Sequence, residues 1–203
     1  MFLYWFLRFF CLILGKFFFH LEARGREFIP RQGGFVLVSN HASFLDPIIL
    51  GVLSPRVLSY AARDSLFRNK LFAALLSEIC VFPIKRWSAD LGAVKESVRR
   101  LKNNSGLVVF PEGTRSPNGE IQNFTYGFVL LAHKAAVPII PAWISGSNKA
   151  WGKGRRLIRP AKIKVVFGRP LNTEGRHIKG KQDYARISQD VFEQIKLLGC
   201  ACP

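Results

Sequence analysis

Short apolar or β-branched runs alternate along this chain with segments whose apolar residues recur every three or four positions, and that alternation restricts the fold more than any other feature. After the Gln32-Gly33-Gly34 turn, the run Phe35–Asn40 (FVLVSN) reads as a buried strand. A helix over about Ser43–Leu53, a strand near Val57–Ala61, a helix near Lys70–Ser77 and a strand at Ile79–Ile84 follow. Ser88 is placed to N-cap a helix whose apolar residues Leu91, Val94, Val98 and Leu101 share one face, ended by Asn103–Gly106. Leu107–Phe110, Val137–Ile144 and Lys162–Phe167 read as further strands, Tyr126–Ala135 as a helix. The last helix, about Gln182–Leu198, lines up Tyr184, Ile187, Val191, Ile195 and Leu198 and stops at Gly199. The expectation is a layered α/β fold around a central sheet, with strand directions left open, in a chain of 203 residues that suits one domain.

Residues 1–19 break this pattern, being almost continuously apolar and aromatic except at Arg8, Gly15 and Lys16. As a helix, the segment gathers Tyr4, Arg8, Gly15 and Lys16 on one narrow stripe, with His20 at its edge, and leaves a broad face of Phe, Leu and Trp. Residues 1–21 are therefore expected to form a membrane-associated helix lying in the interface. A spanning helix is the alternative, with Arg8 and Lys16 snorkelling near its ends. A cleaved signal peptide fits poorly, since no basic region precedes the apolar run and no small-residue cleavage site follows it. The basic and acidic stretch His20–Arg31 reads as a linker.

The charge narrows the partners. Thirty Lys and Arg face 13 Asp and Glu, a net +17, while 49% apolar residues exclude intrinsic disorder. The balance calls for a polyanionic partner: nucleic acid, an anionic membrane or a phosphorylated small molecule. Positive charge is densest between Ser147 and Lys181, where eleven cations from Lys149 to Lys181 are opposed only by Glu174. On an anionic leaflet each contributes roughly 1 kcal/mol; a solvated basic face is the plain alternative. No groove-reading or base-stacking motif appears, so nucleic acid is not expected as a partner. Cys11, Cys80, Cys200 and Cys202 show no C-x-x-C pairing or disulfide framework, and the C-terminal Cys-Ala-Cys-Pro is not a prenylation box. No metal site is expected.

Two segments carry chemistry. In Asn40-His41-Ala42-Ser43-Phe44-Leu45-Asp46, five residues separate His41 from Asp46, which within one helix would set them about 140° apart. They meet only if the chain turns between them, as at a strand-to-helix junction. The carboxylate then holds one ring nitrogen while the other removes a proton from a hydroxyl. The competing reading is a variant capping box, with Ser43 as N-cap and Asp46 at N3. In Phe110-Pro111-Glu112-Gly113-Thr114-Arg115-Ser116, a strand ends in a turn that offers a carboxylate, a flexible glycine, a hydroxyl and a guanidinium. Arg115 and Thr114 suit a phosphate; Glu112 either accepts from a substrate hydroxyl or orients Arg115. Lys85 and Arg86, leaving the strand VFPIKR, are placed on the far side of such a pocket. An ordinary polar turn and a solvated strand end are the alternatives.

Taken together and in this order, NHASFLD, FPEGTRS and VPIIPA resemble the glycerolipid acyltransferase family that includes the 1-acyl-glycerol-3-phosphate acyltransferases, over about Phe35–Pro170. The resemblance implies an acyltransferase domain over residues 22–203, with a central mixed sheet flanked by helices. It further implies His41 as the base and Asp46 as its support, in direct attack of a lysophospholipid's free sn-2 hydroxyl on an acyl thioester, without an acyl-enzyme. Arg86 and the Glu112–Gly113–Thr114–Arg115 turn would bind the acceptor, Ser43 and Lys85 being further candidates, and Val137–Ala142 would support the acyl-chain region. No cofactor is implied, because acyl-CoA or acyl carrier protein enters as donor substrate. Lysophosphatidic acid is the default acceptor and phosphatidic acid the product, at the cytoplasmic face of the inner membrane. Where many members have Lys-Gly after the second motif this chain has Tyr126-Gly127, removing a cation; it also ends soon after its last helix, where an acceptor-selecting domain would lie. Another lysolipid as acceptor, a noncatalytic basic lipid-binding protein and a thioester hydrolase are the alternative functions.

Overall fold

A computed structural model of the chain describes residues 2–84, 90–173, 178 and 180–201. Seven strands form a single sheet: β1 (Glu22–Arg24), β2 (Phe35–Ser39), β3 (Leu58–Arg63), β4 (Val81–Ile84), β5 (Gly106–Val109), β6 (Ile139–Ser145) and β7 (Lys164–Phe167). Their order is β1-β7-β6-β2-β5-β3-β4, and every neighbouring pair is parallel except β6 with β7. The sheet is therefore mixed, and the helices α1 (Phe2–Phe19), α2 (Asp46–Leu53), α3 (Lys70–Glu78), α4 (Leu91–Lys102), α5 (Gly127–Ala135), α6 (Ser147–Trp151) and α7 (Lys181–Cys200) complete the layers.

Alternation along β2 explains the two cores. Phe35 and Leu37 point to one face, where they join Ile49, Leu50 and Leu53 of α2 with Ile140 and Ile144. Val36 and Val38 point to the other, joining Leu101, Phe128, Val129, Ile187, Val191 and Ile195 from α4, α5 and α7. All five strand residues are buried, as expected for a central strand covered on both faces. The apolar stripes of α4 and α7 foreseen from periodicity supply Leu101, Ile187, Val191 and Ile195.

Several boundaries differ from expectation. Helix α2 begins at Asp46, three residues later than Ser43, because Ser43 is engaged elsewhere. Asp90 caps α4 by accepting from Ala93 N–H (2.9 Å); Ser88, like Lys85 and Arg86, lies outside the described residues. The stretch expected as a linker contains β1, whose three residues pair with β7, and α6 was not foreseen.

Helix α1 packs against α2 and runs opposite to it along the sheet. Near its start, Arg8 Nη2 donates to the carbonyl of Ser54, just past the end of α2. Beyond its end, Phe19 O accepts from Ile163 N–H (2.9 Å), beside the first residues of β1 and β7, which lie opposite the last residue of β6. Tyr4 and Gly15 of the expected polar stripe are buried and Arg8 half-buried, while Lys16 is exposed; Trp5, Phe6, Phe9, Phe10, Ile13, Phe17 and Phe18 face outward. Among the described residues no helix is long and apolar enough to cross a membrane, so the spanning alternative has no support.

Gly106 shows how tightly the sheet centre is filled. A Cβ there would collide with Phe35 Cζ and lie 2.9 Å from Leu58 Cδ2, both side chains fully buried. Gly106→Ala is expected to destabilise the chain by about 1–3 kcal/mol, lowering Tm by about 2–4 °C per kcal/mol; an unchanged Tm in thermal unfolding would refute this packing.

Candidate active site

Strands β2 and β5 are parallel neighbours, with Val38 opposite Val109, so the segments beyond their carboxyl ends leave the sheet side by side. The first carries His41 and the second Glu112. Open sheets place ligands at this edge, where loops diverge from the strands. Two long-range bonds fix the adjacent segments to each other: Ser116 N–H donates to His41 O (2.8 Å) and His41 N–H donates to Glu112 Oε1 (2.8 Å). Asn40, buried just before the turn, donates to Ile144 O (3.0 Å) and accepts from Ile144 N–H (2.8 Å), tying the end of β2 to β6.

Between Asn40 and Asp46 the chain reverses around one carboxylate oxygen. Asp46, fully buried, accepts at Oδ2 from Ala42 N–H (2.7 Å), Ser43 N–H (2.7 Å) and His41 Nδ1 (2.9 Å). Backbone amides can only donate, so Oδ2 is the acceptor in all three bonds and Nδ1 carries the ring proton. Nε2 is then the nitrogen with the free lone pair. The imidazole stacks on Phe110, centroids 4.1 Å apart and planes at 21°, and its side chain keeps 18% of its surface open to solvent. The capping alternative is realised in part by the same atoms: Asp46 reaches back to Ser43 N–H, but Ser43 Oγ donates to Trp151 O (2.8 Å) and accepts from Leu45 N–H (3.1 Å).

The second turn is held to the first through Glu112, whose two oxygens accept from His41 N–H and Gln122 N–H (3.3 Å). Gly113 takes φ +68°, a left-handed conformation that favours glycine, which leaves Gly113 and Thr114 exposed. The guanidinium of Arg115 lies over Phe44, 3.3 Å from the ring centroid, and Phe44 packs in turn on Trp151 at 4.9 Å. Arg115 is thereby placed against the histidine turn itself. Of the candidate residues, His41, Ser43, Asp46, Glu112, Gly113, Thr114 and Arg115 thus share one edge of the sheet; Lys85 and Arg86 lie outside the described residues. Val137–Ala142 runs into β6, where Val137, Ile139, Ile140 and Ala142 are buried in the two cores. Asn40, Phe44, Phe110 and Trp151 were not singled out from sequence. Each acts through a contact more than 60 positions away, and an apolar ring beside a strand looks like core.

Burial pushes the Glu112 carboxyl up to about 7, outweighing the two N–H groups that favour its ionised form; the nearby Asp46 charge adds to the rise. The folded chain then binds this proton more tightly than the unfolded chain, whose Glu titrates near 4.5. Stability from Glu112 is fully present at acidic pH and is lost as pH rises from about 4.5 through about 7. In thermal unfolding between pH 5 and pH 8, the parent is expected to lose more Tm with rising pH than Glu112→Gln; equal slopes would refute the burial of this carboxyl.

The comparisons with known proteins agree with this arrangement. A family model described as Acyltransferase matches residues 20–145. The 1-acyl-sn-glycerol-3-phosphate acyltransferase of Bacillus subtilis (strain 168) is 30% identical over 180 residues, covering 88% of this chain and 87% of that protein. The protein of the same name from Limnanthes alba is 31% identical over 175 residues, 85% of this chain but 62% of its own length. The alpha enzyme of Mus musculus is 35% identical over 159 residues, 76% of this chain and 56% of that one; the chain thus spans about three-fifths of the latter two. The crystal structure of the 1-acyl-sn-glycerophosphate (LPA) acyltransferase PlsC from Thermotoga maritima aligns with a TM-score of 0.75 over 95% of this chain and 81% of that chain, at 24% identity, and shares the fold. Matched by the family model over more than half its length, with both motifs on adjacent strand ends, the chain belongs to the Acyltransferase family as an O-acyltransferase.

Proposed function

We propose that this chain transfers a fatty acyl group from acyl-CoA or acyl carrier protein to the sn-2 hydroxyl of 1-acyl-glycerol-3-phosphate, giving phosphatidic acid. The observation that carries the mechanism is the bonding of His41: Nδ1 is committed to Asp46, so Nε2 acts as the base. Nε2 takes the proton of the acceptor hydroxyl as its oxygen attacks the thioester carbonyl. The C–S bond of the tetrahedral species then breaks, and the sulfur leaves with the proton returned by the imidazolium. One ester forms, one thioester is consumed, and no acyl-enzyme is required. Buried Asp46 stabilises the imidazolium during the step and needs no rearrangement to do so.

Arg115 supplies a delocalised cation for the acceptor phosphate, held over Phe44 of the histidine turn. The names of the relatives favour a lysophosphatidic acid acceptor. The outward aromatic face of α1 supports a site that works at a lipid interface, with residues 1–21 as the membrane-associated element. Acyl thioesters are made in the cytoplasm, which puts that surface on the cytoplasmic face of the inner membrane.

An acyl-transfer assay in lipid vesicles, with 1-acyl-glycerol-3-phosphate and both donor types, tests the reading. His41→Ala is expected to lower kcat about 10²–10⁴-fold with the fold retained by circular dichroism; near-parental turnover rejects His41 as the base, and release of free fatty acid in place of phosphatidic acid makes the chain a hydrolase. Arg115→Ala is expected to raise the acceptor KM about tenfold or more, the loss of one charge-assisted contact, with a smaller change in kcat. An unchanged KM removes Arg115 from the phosphate site.

A further inference from the structure

The stretch Lys153–Pro160, between α6 and β7, is exposed at every position and belongs to neither core. It carries four cations and no acid, and among the described residues no carboxylate pairs with any of them. In the middle of these charges stand Leu157, 74% exposed, and Ile158, 52% exposed. Two adjacent aliphatic side chains held in water by a cationic loop gain nothing from the fold that carries them. Resting on the reading of the acceptor as a lipid, we propose that this loop inserts into the membrane: Leu157 and Ile158 enter the acyl layer of an anionic leaflet, while Arg155, Arg156 and Arg159 hold its headgroup phosphates.

Charge complementarity selects the lipid surface as the occupant. Arginine stems tolerate the apolar boundary while their guanidinium groups stay among phosphates, and the apolar pair supplies the burial that an acidic peptide would not offer. The place of the loop in the fold gives it a purpose. Its root is fixed to the histidine turn: Trp151 O accepts from Ser43 Oγ and Phe44 N–H, and the Trp151 ring packs on Phe44. Trp151 Nε1 donates to Arg155 O (3.1 Å), and Arg159 N–H donates to Ala150 O (3.0 Å), closing the base of the loop. The other end leads to Ile163, which is bonded to the last turn of α1, where Phe17 and Phe18 face outward. An inserted Leu157–Ile158 pair therefore sets the height of His41 above the acyl layer, through the Trp151 contacts to the histidine turn.

The double variant Leu157→Ser/Ile158→Ser tests this, since both side chains are exposed and the parental Tm is expected to persist. Binding is measured by cosedimentation with phosphatidylcholine vesicles containing phosphatidylglycerol. Turnover is measured with a vesicle-embedded long-chain acceptor and with a short-chain acceptor that is monomeric in solution. The variant is expected to bind the anionic vesicles about tenfold more weakly and to lose kcat/KM on the embedded acceptor by a similar factor, with turnover of the monomeric acceptor unchanged. Arg155→Gln/Arg156→Gln/Arg159→Gln is expected to abolish the preference for phosphatidylglycerol vesicles over pure phosphatidylcholine. Vesicle binding equal to the parent in the double variant overturns the proposal, as does an equal loss on both acceptors, which would assign the loop to the substrate pocket. If the parent acylates no lysolipid yet its vesicle binding still depends on Leu157 and Ile158, the functional reading fails and the insertion loop stands.

Discussion

A single oxygen, Asp46 Oδ2, organises the reacting edge of this molecule. It receives two backbone amides and the imidazole within five residues of chain, and those three bonds turn the end of β2 into the start of α2. A carboxylate buried at 0% exposure would be costly if unpaired. Here three donors on Oδ2 offset part of that cost and also specify where His41 points, while Oδ1 is buried without a hydrogen-bond partner among the described residues. The turn cannot be relaxed without exposing or orphaning the charge, so the geometry of the imidazole is set by folding. Removing the carboxylate would cost both the turn and the tautomer.

That turn is bonded on every side to parts of the chain distant in sequence. Asn40 reaches β6, Ser43 reaches α6, and the backbone of His41 exchanges hydrogen bonds with Glu112 and Ser116 beyond β5. The parallel pairing of β2 with both β5 and β6 brings these partners to one edge. A site built this way has little freedom to drift, which suits the proposed reaction, whose rate depends on holding an alcohol against a base. The stack of Arg115 on Phe44 extends the same scheme to a cation: the ring that positions it belongs to the histidine turn, so one turn places both imidazole and guanidinium.

How much of this could be read in the sequence depended on the range of the interaction responsible. The apolar run of β2 and the three-and-four spacing of α4 and α7 are local, and they marked a buried strand and two helices that pack on the sheet. The need for a turn between His41 and Asp46 followed from helical geometry alone. Strand β1 escaped notice because its residues Glu22, Ala23 and Arg24 carry no apolar signature and it exists only through pairing with β7. The antiparallel direction of β7 was likewise hidden, since it follows from a connection that starts and ends at one edge, through α6 and the basic loop. Phe110 and Phe44 are indistinguishable in sequence from core aromatics. Only the fold shows one under the imidazole and the other under the guanidinium.

Helix α1 inverts the usual rule for an amphipathic helix on a globular domain, and the inversion has a physical logic. Its half-buried cation turns toward the protein, where Arg8 Nη2 donates to the Ser54 carbonyl, the guanidinium lies 5.2 Å from the Trp5 ring centroid, and Nη1 is buried without a hydrogen-bond partner among the described residues. The face turned away from the domain is aromatic and aliphatic, with Phe17 83% exposed. Facing water, such a surface forfeits roughly 25 cal/mol for each Å² left uncovered, with no hydrogen bond gained in return. An apolar medium recovers that loss, and the inward placement of Arg8 spares the same medium a charge. On the proposed reading, the stripe that anchors the helix to the protein and the face that meets the lipid are two consequences of one sequence pattern. That pattern leaves the end of α1 at the sheet edge from which His41 projects, so the anchor and the chemistry share one surface.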